Sequence, residues 1–365
     1  MVNGPAQASS EHVVVEVGQD GVGRITLNRP QALNALSLSM VRALSHTLRQ
    51  WAHNPAVRQV VIRGSHKQGP FGHFCAGGDI RYFHQAARAG DVSLEDFFTE
   101  EYQLNHLIHV YPKPYVALMD GVVMGGGMGL SQGAACRVVT PSTRMAMPEA
   151  RIGLFPDVGG GYFLSRCPGH VGEWLAITGQ VLHAGDAVAF GLADGCVPTD
   201  ALPAIWQSPD PLQAAREAAQ PAATQWHAAV DAIDAVFGLP SLPQALHALA
   251  QVEGAWASAA REAIAGHSPL MCHVIWAQIR RARGMPLADV LRMERDMVRH
   301  CFHWRGVAAS ETLEGVRALA VDKDHAPRWQ PAAMAEVLAQ DVDGFFVSPW
   351  PAYAHPLRDL AYLRV

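Results

Sequence analysis

The 365 residues are 49% hydrophobic and 17% charged with a formal net charge of −5. That suits a chain able to bury one large core or two, and argues against a nucleic-acid binder working by bulk positive charge. No apolar run reaches the ~18 residues of a membrane span, and six cysteines without a CxxC pair read as free thiols of a reducing, cytoplasmic compartment.

Met1–Ser10 lack the basic region and apolar core of a signal peptide, and residues 1–12 read as a loose tail. Val13–Val17 and Arg24–Leu27 flank the turn sequence GQDGVG and predict a hairpin. An irregular segment, NRPQALNALS, follows. Met40, Leu44 and Leu48 then predict a helix over Ser39–Trp51, stopped by Asn54-Pro55. Val57–Ile62 reads as a buried strand, Gly64–Phe74 as a loop, and Cys75–Asp79 (CAGGD) as a glycine turn leading into a helix from Ile80. A further helix is expected over Ser93–Val110, with Ser93 as its N-cap.

Tyr115–Met119, bounded by Pro114 and Gly121, reads as another buried strand, and the triple glycine Gly125–Gly127 opens a small-residue helix. A strand, glycine turn and helix occurring twice favour an α/β fold with mostly parallel pairing. After Cys136–Val139 and Met145 the pattern turns helical, with helices expected over Val171–Thr178 and Ala184–Phe190. The proline-rich stretch Pro198–Pro211 reads as a boundary. The expected organisation is a tail (1–12), a mixed core (13–200) and an Ala- and Leu-rich helical region (201–365), including helices over Pro286–Arg299 and Glu311–Ala320.

The two glycine turns carry the main chemical signal. Each is able to aim one backbone N–H, from Gly78 and from Gly126, into a shared space. Two donors about 3 Å from one oxygen make an oxyanion hole, and losing one costs about 3–4 kcal/mol of transition-state stabilisation. Glu149 lies in the mostly apolar run MAMPEARIGLF, where burial raises a carboxylate's pKa and fits it to act as base or nucleophile. A pair with Arg144 or Arg151 is the structural alternative. Asp157, in FPDVGGG, has a helix N-cap as its default role.

Other motifs weigh less. Gly129–Gly133 matches the G-x-S-x-G nucleophile elbow around Ser131, but the triple glycine separates strand from serine where an elbow wants a sharp turn. Cys75 fits a small buried hydrophobe better than a nucleophile. His106 and His109 have no carboxylate partner of metal-site type, and no metal is expected.

Together LNRPQALNALS, FCAGGDI, PKPYVALMDGVVMGGGMGLS and AMPEARIGLFPDVGGGYFLSR resemble the crotonase, or enoyl-CoA hydratase/isomerase, superfamily. FCAGGDIR, EEYQLNHLI, GLFPDVGGGYFL and EGVRALAVDKDHAPRWQP are most similar to its 3-hydroxyisobutyryl-CoA hydrolase branch. The resemblance implies a crotonase-like spiral of βββα repeats with a helical C-terminal region, assembled as a trimer or hexamer. It implies an acyl-CoA substrate, with coenzyme A part of the substrate and no separate cofactor. Gly78 and Gly126 would hold the thioester oxygen. The backbone around Ala32, Leu33, Ala35 and Ala76 would bind the substrate, Glu149 matches the catalytic glutamate, Asp157 a second acidic residue of the branch, and Glu101 a substrate-contacting residue.

One departure bears on the reaction. Hydratases of this superfamily position water with two glutamates, and Gly129 stands where the first would be. The resemblance therefore favours a thioester hydrolase acting on a short β-hydroxyacyl-CoA, best 3-hydroxyisobutyryl-CoA of valine breakdown. A hydratase or isomerase is the nearer alternative, and a non-catalytic CoA- or RNA-binding protein the more distant one.

Overall fold

The computed structural model describes residues 10–360, so most of the expected tail lies outside the described residues. Its strands are β1 (Val13–Val17), β2 (Val22–Leu27), β3 (Gln59–Gly64), β4 (Tyr115–Met119), β5 (Val122–Met124), β6 (Cys136–Val139), β7 (Arg144–Ala146) and β8 (Gly195–Cys196). β1 and β2 form the expected antiparallel hairpin, with Val13 opposite Leu27. Every other pairing is parallel: a six-stranded sheet in the order β1-β2-β3-β4-β6-β8, and a separate pair, β5 with β7.

The two-residue period of a strand decides what each sheet face meets. Val22, Val61, Val116, Leu118 and Val138 meet Leu202, Ile205, Trp206 and Ala215, carried by the short helices Leu202–Gln207 and Pro211–Ala218. Ile25, Leu27, Val60, Ile62, Ala117 and Met119 enter a larger core on the opposite face. A register slip of one residue would exchange the two sets. Each buried side chain of this kind contributes about 1.5–3 kcal/mol, so the register is strongly held.

The larger face is covered by α1 (Leu38–His53), α2 (Ile80–Ala89), α3 (Ser93–His109) and the short α4 (Gly126–Ser131), followed by α5 (Gly160–Leu164), α6 (Val171–Thr178) and α7 (Ala184–Ala189). The helix Pro269–Ala282 packs on α5 and α6, and the helix Leu287–His303 on α3 and α5. A single apolar cluster runs from the sheet into these C-terminal helices. The helix beginning at Glu311 widens into a π turn over Arg317–Val321, a form that recurs at functional sites.

One local expectation is corrected. Ser93 is the first residue of α3, not its cap: Asp91 Oδ1 accepts the Ser93 N–H at 2.9 Å, while the Ser93 hydroxyl bonds the Tyr82 hydroxyl at 2.6 Å. An ionised carboxylate is a stronger acceptor for an orphan N–H than a serine hydroxyl.

Candidate active site

The two glycine turns are strapped together by backbone. Cys75 pairs with Val123 of β5 in the parallel sense, its N–H donating to Val122 O at 3.0 Å and its carbonyl accepting Met124 N–H at 3.0 Å. On the other side Leu36 N–H donates to Gly77 O at 2.8 Å and Ala76 N–H to Leu33 O at 3.0 Å. The strand before the first turn is therefore this short bridge to β5; β3 ends eleven residues earlier, at Gly64. Gly77 has φ +101°, and a Cβ there would stand 3.3 Å from the Met124 carbonyl. Among the described residues, neither the Gly78 nor the Gly126 N–H finds an acceptor, and both glycines line one cavity of about 750 Å³.

Four acidic residues line that cavity, exposed Glu262 and three others. Glu101 lies on the buried stripe of α3, with Leu94, Phe97, Phe98, Leu104 and Ile108. Glu149 opens a 3₁₀ turn, Glu149–Ile152, and Asp157 lies in the turn before α5. All three are buried. Glu101 and Glu149 each close on the triple glycine: a Cβ on Gly126 would be 2.6 Å from Glu101 Oε1, and one on Gly125 2.8 Å from Glu149 Oε1. Glu149 does not pair with Arg144 or Arg151; among the described residues its Oε2 is buried without a partner, as is Glu101 Oε1. Burial, then the neighbouring Asp157 carboxylate, pushes both glutamates well above the usual carboxylate range. Burial pushes Asp157 up to about 7, opposed by a hydrogen bond from Tyr102.

Asp157 is not an N-cap. α5 is capped by the backbone of Gly159, and the Asp157 carboxylate accepts the Tyr102 hydroxyl at 2.9 Å. A phenol in a dry site is the available donor, whereas the start of α5 is served from elsewhere. Glu294, fully buried on the helix Leu287–His303, accepts Gly159 N–H at 2.7 Å and Gly161 N–H at 2.8 Å. Gln278 donates through Nε2 to Glu294 Oε1 at 3.1 Å and to Pro156 O at 2.7 Å. Sequence reasoning passed over Tyr102, Glu294 and Gln278. For Glu294 a signal existed: Leu287, Leu291, Glu294, Val298 and Cys301 share one helical stripe, so this carboxylate falls on a buried face.

Of the remaining expected residues, Ala76 lines the cavity, while Ala32, Leu33 and Ala35 lie on the loop hydrogen-bonded to it. That loop is held by buried Asn34, whose Oδ1 accepts Arg29 N–H at 2.8 Å and whose Nδ2 donates to Ser65 O at 3.0 Å. Ser131 is fully buried inside α4 and donates to Gly127 O at 3.0 Å, so it is no exposed nucleophile. Cys75 is buried, and burial pushes its thiol up to about 12. At Gly129 a Cβ would lie 2.7 Å from Val158 Cβ and 2.8 Å from Asn105 Nδ2, so the position has no room for a side chain.

A buried carboxylate facing two unpaired N–H groups across a cavity is an acyl-transfer geometry, and comparison with known proteins identifies its class. The family model described as enoyl-CoA hydratase/isomerase matches residues 22–346, and the chain belongs to that family. Among curated proteins it is similar to 3-hydroxyisobutyryl-CoA hydrolase, mitochondrial, of Gallus gallus, with 38% identity over 90% of this chain and 87% of the relative. The Danio rerio protein of the same name is 38% identical over 94% and 91%. Among solved structures, a carnitinyl-CoA dehydratase from Mycobacterium thermoresistibile aligns with a TM-score of 0.86 and 36% identity, over 94% of this chain and 98% of that one. The fold is thus the crotonase-like α/β fold, and acyl-CoA is the substrate class of the family.

Proposed function

We propose that this chain hydrolyses the thioester of a short β-hydroxyacyl-CoA, 3-hydroxyisobutyryl-CoA first among them. Similar proteins carry both hydrolase and dehydratase names at nearly equal identity, so names alone do not separate the reactions. The observation that carries the reading is Gly129. Where a hydratase would need the first of its two glutamates, Val158 and Asn105 fill the space, leaving water addition to a double bond without one of its acid/base groups.

In this mechanism the Gly78 and Gly126 N–H groups hold the thioester oxygen and take up its negative charge as the carbonyl is attacked. Ionised Glu149 either attacks the carbonyl carbon, forming a mixed anhydride that water then opens, or removes a proton from the attacking water. The C–S bond breaks with its electron pair on sulfur, and coenzyme A leaves with little acid help. Glu101, whose carboxyl is pushed up first by burial and then by the neighbouring Asp157, is suited to exchange hydrogen bonds with a β-hydroxyl. Asp157, poised near neutrality, is suited to pass a proton. No separate cofactor enters this scheme. We read the protein as a homo-oligomer, trimer or hexamer, of the cytoplasm; six buried free cysteines support a reducing compartment.

The test is direct. Free thiol released from 3-hydroxyisobutyryl-CoA and trapped by a disulfide reagent is the expected result. Reversible loss of enoyl absorbance from an enoyl-CoA, with no thiol release, would establish the hydratase alternative instead.

A further inference from the structure

We propose that Glu294 is a positioning residue for the reaction, acting through Asp157, with Gln278 as its support; this rests on the reading that Asp157 takes part in thioester hydrolysis. The turn that presents Asp157 is strained. Val158 has φ +54°, a left-handed conformation that a β-branched residue rarely adopts, and such strain persists only where the surroundings hold it. Here they do so from both sides. Pro156 O, before Asp157, accepts from Gln278 Nε2 at 2.7 Å. The Gly159 and Gly161 N–H groups, after it, donate to the two oxygens of Glu294 at 2.7 and 2.8 Å. The Gln278–Glu294 contact at 3.1 Å joins the two ends of the clamp.

The clamp lies outside the cavity: neither Glu294 nor Gln278 lines it, whereas Asp157 and Val158 do. Glu294 is fully buried and, among the described residues, has no cation at hydrogen-bond distance, an arrangement disfavoured unless its oxygens are satisfied by oriented N–H groups. Tyr102 fixes the Asp157 side chain at its far end. Backbone clamp and phenol together leave that carboxylate one place to point. The C-terminal helical region thereby supplies part of the active-site geometry from within the same chain.

The experiment is a double-mutant cycle on the full-length protein, read as kcat and KM for thiol release, with thermal melts to establish folding. Glu294→Gln sets an amide NH2 against one of the two glycine N–H groups. It should lower kcat about tenfold to a hundredfold, the scale of a small misplacement of a reacting group, with KM close to wild type. Asp157→Asn should by itself lower kcat about a hundredfold. In the Asp157→Asn background Glu294→Gln should cost less than about twofold, because residues acting as a unit are non-additive. Equal losses from Glu294→Gln in both backgrounds would overturn the inference while leaving the role of Asp157 intact. An Asp157→Asn enzyme of near wild-type kcat would overturn that role and the inference with it. Gln278→Met, which removes the Nε2 donor with little change of volume, runs through the same cycle should Glu294→Gln not fold; the same non-additivity is expected, and equal losses overturn the inference.

Discussion

The Tyr102 hydroxyl donates to the Asp157 carboxylate across 2.9 Å, in a setting where both groups are buried. The bond favours the ionised carboxylate and holds it lower than burial alone would. Tyr102→Phe removes the donor and keeps the ring. Asp157 should then titrate above about 7. The acid limb of the pH–rate profile should move to higher pH, with kcat at neutrality down about tenfold. An acid limb that stays in place would detach Asp157 from catalysis.

Glu149→Gln tests the attacking group. The amide keeps the shape of the side chain and has neither a nucleophilic oxygen nor a base. We expect kcat for thiol release to fall at least about a hundredfold, with the affinity for coenzyme A, measured by calorimetry, nearly unchanged. Thiol release near the wild-type rate would reject the mechanism.

Gly129→Glu asks whether a hydratase is one substitution away. The new Cβ would meet Val158 Cβ at 2.7 Å and Asn105 Nδ2 at 2.8 Å. Overpacking of this kind costs about 1–3 kcal/mol before the burial of a carboxylate is added. The expected outcome is a lower melting temperature and no hydration of enoyl-CoA. A stable variant that hydrates would show that the position is open.

Stability should depend on pH in a defined direction. Asp157 and Glu294 are pushed by burial up to about 7 and about 8. Unfolded, both titrate near 4. Above that value the native state binds more protons than the unfolded state, so stability falls as pH rises. Buried histidines such as His106 and His267 are pushed down, and their effect is confined to pH below about 6.5. Between pH 6.5 and 8 the carboxyls dominate, by up to about 1.4 kcal/mol per group for each unit of pH. Melts across this window should show wild type losing stability and Asp157→Asn losing less; parallel curves would contradict the assignment.

Much of the site was legible in local sequence, because its parts are turns and strand ends. The glycine turns at Gly78 and Gly126 announce themselves by composition and Glu149 by a carboxylate set in an apolar run, whereas Glu101 was reached only through the family resemblance. Strands β1 to β4 were readable from their apolar runs, whereas β5 and the two-residue β8 were not. What escaped depends on distant packing. Asp157 is two residues from Gly159, the cap of α5, yet its partner is a tyrosine on α3, 55 positions earlier. Glu294 serves glycines more than 130 positions away. No local pattern pairs such residues, although the stripe carrying Glu294 marked it as buried.

The carboxyl-lined cavity has a consequence for turnover. Burial comes first, and the charges that then raise Glu101 and Glu149 are other carboxylates. The acyl-thioester end of the substrate carries no charge into this site, but its hydrolysis creates a carboxylate beside three buried acidic groups. The acid product is thereby repelled by the walls that processed its precursor. On our reading of the function, free hydroxy acid should be a poor inhibitor even at concentrations where coenzyme A still competes, and the chemistry itself empties the pocket.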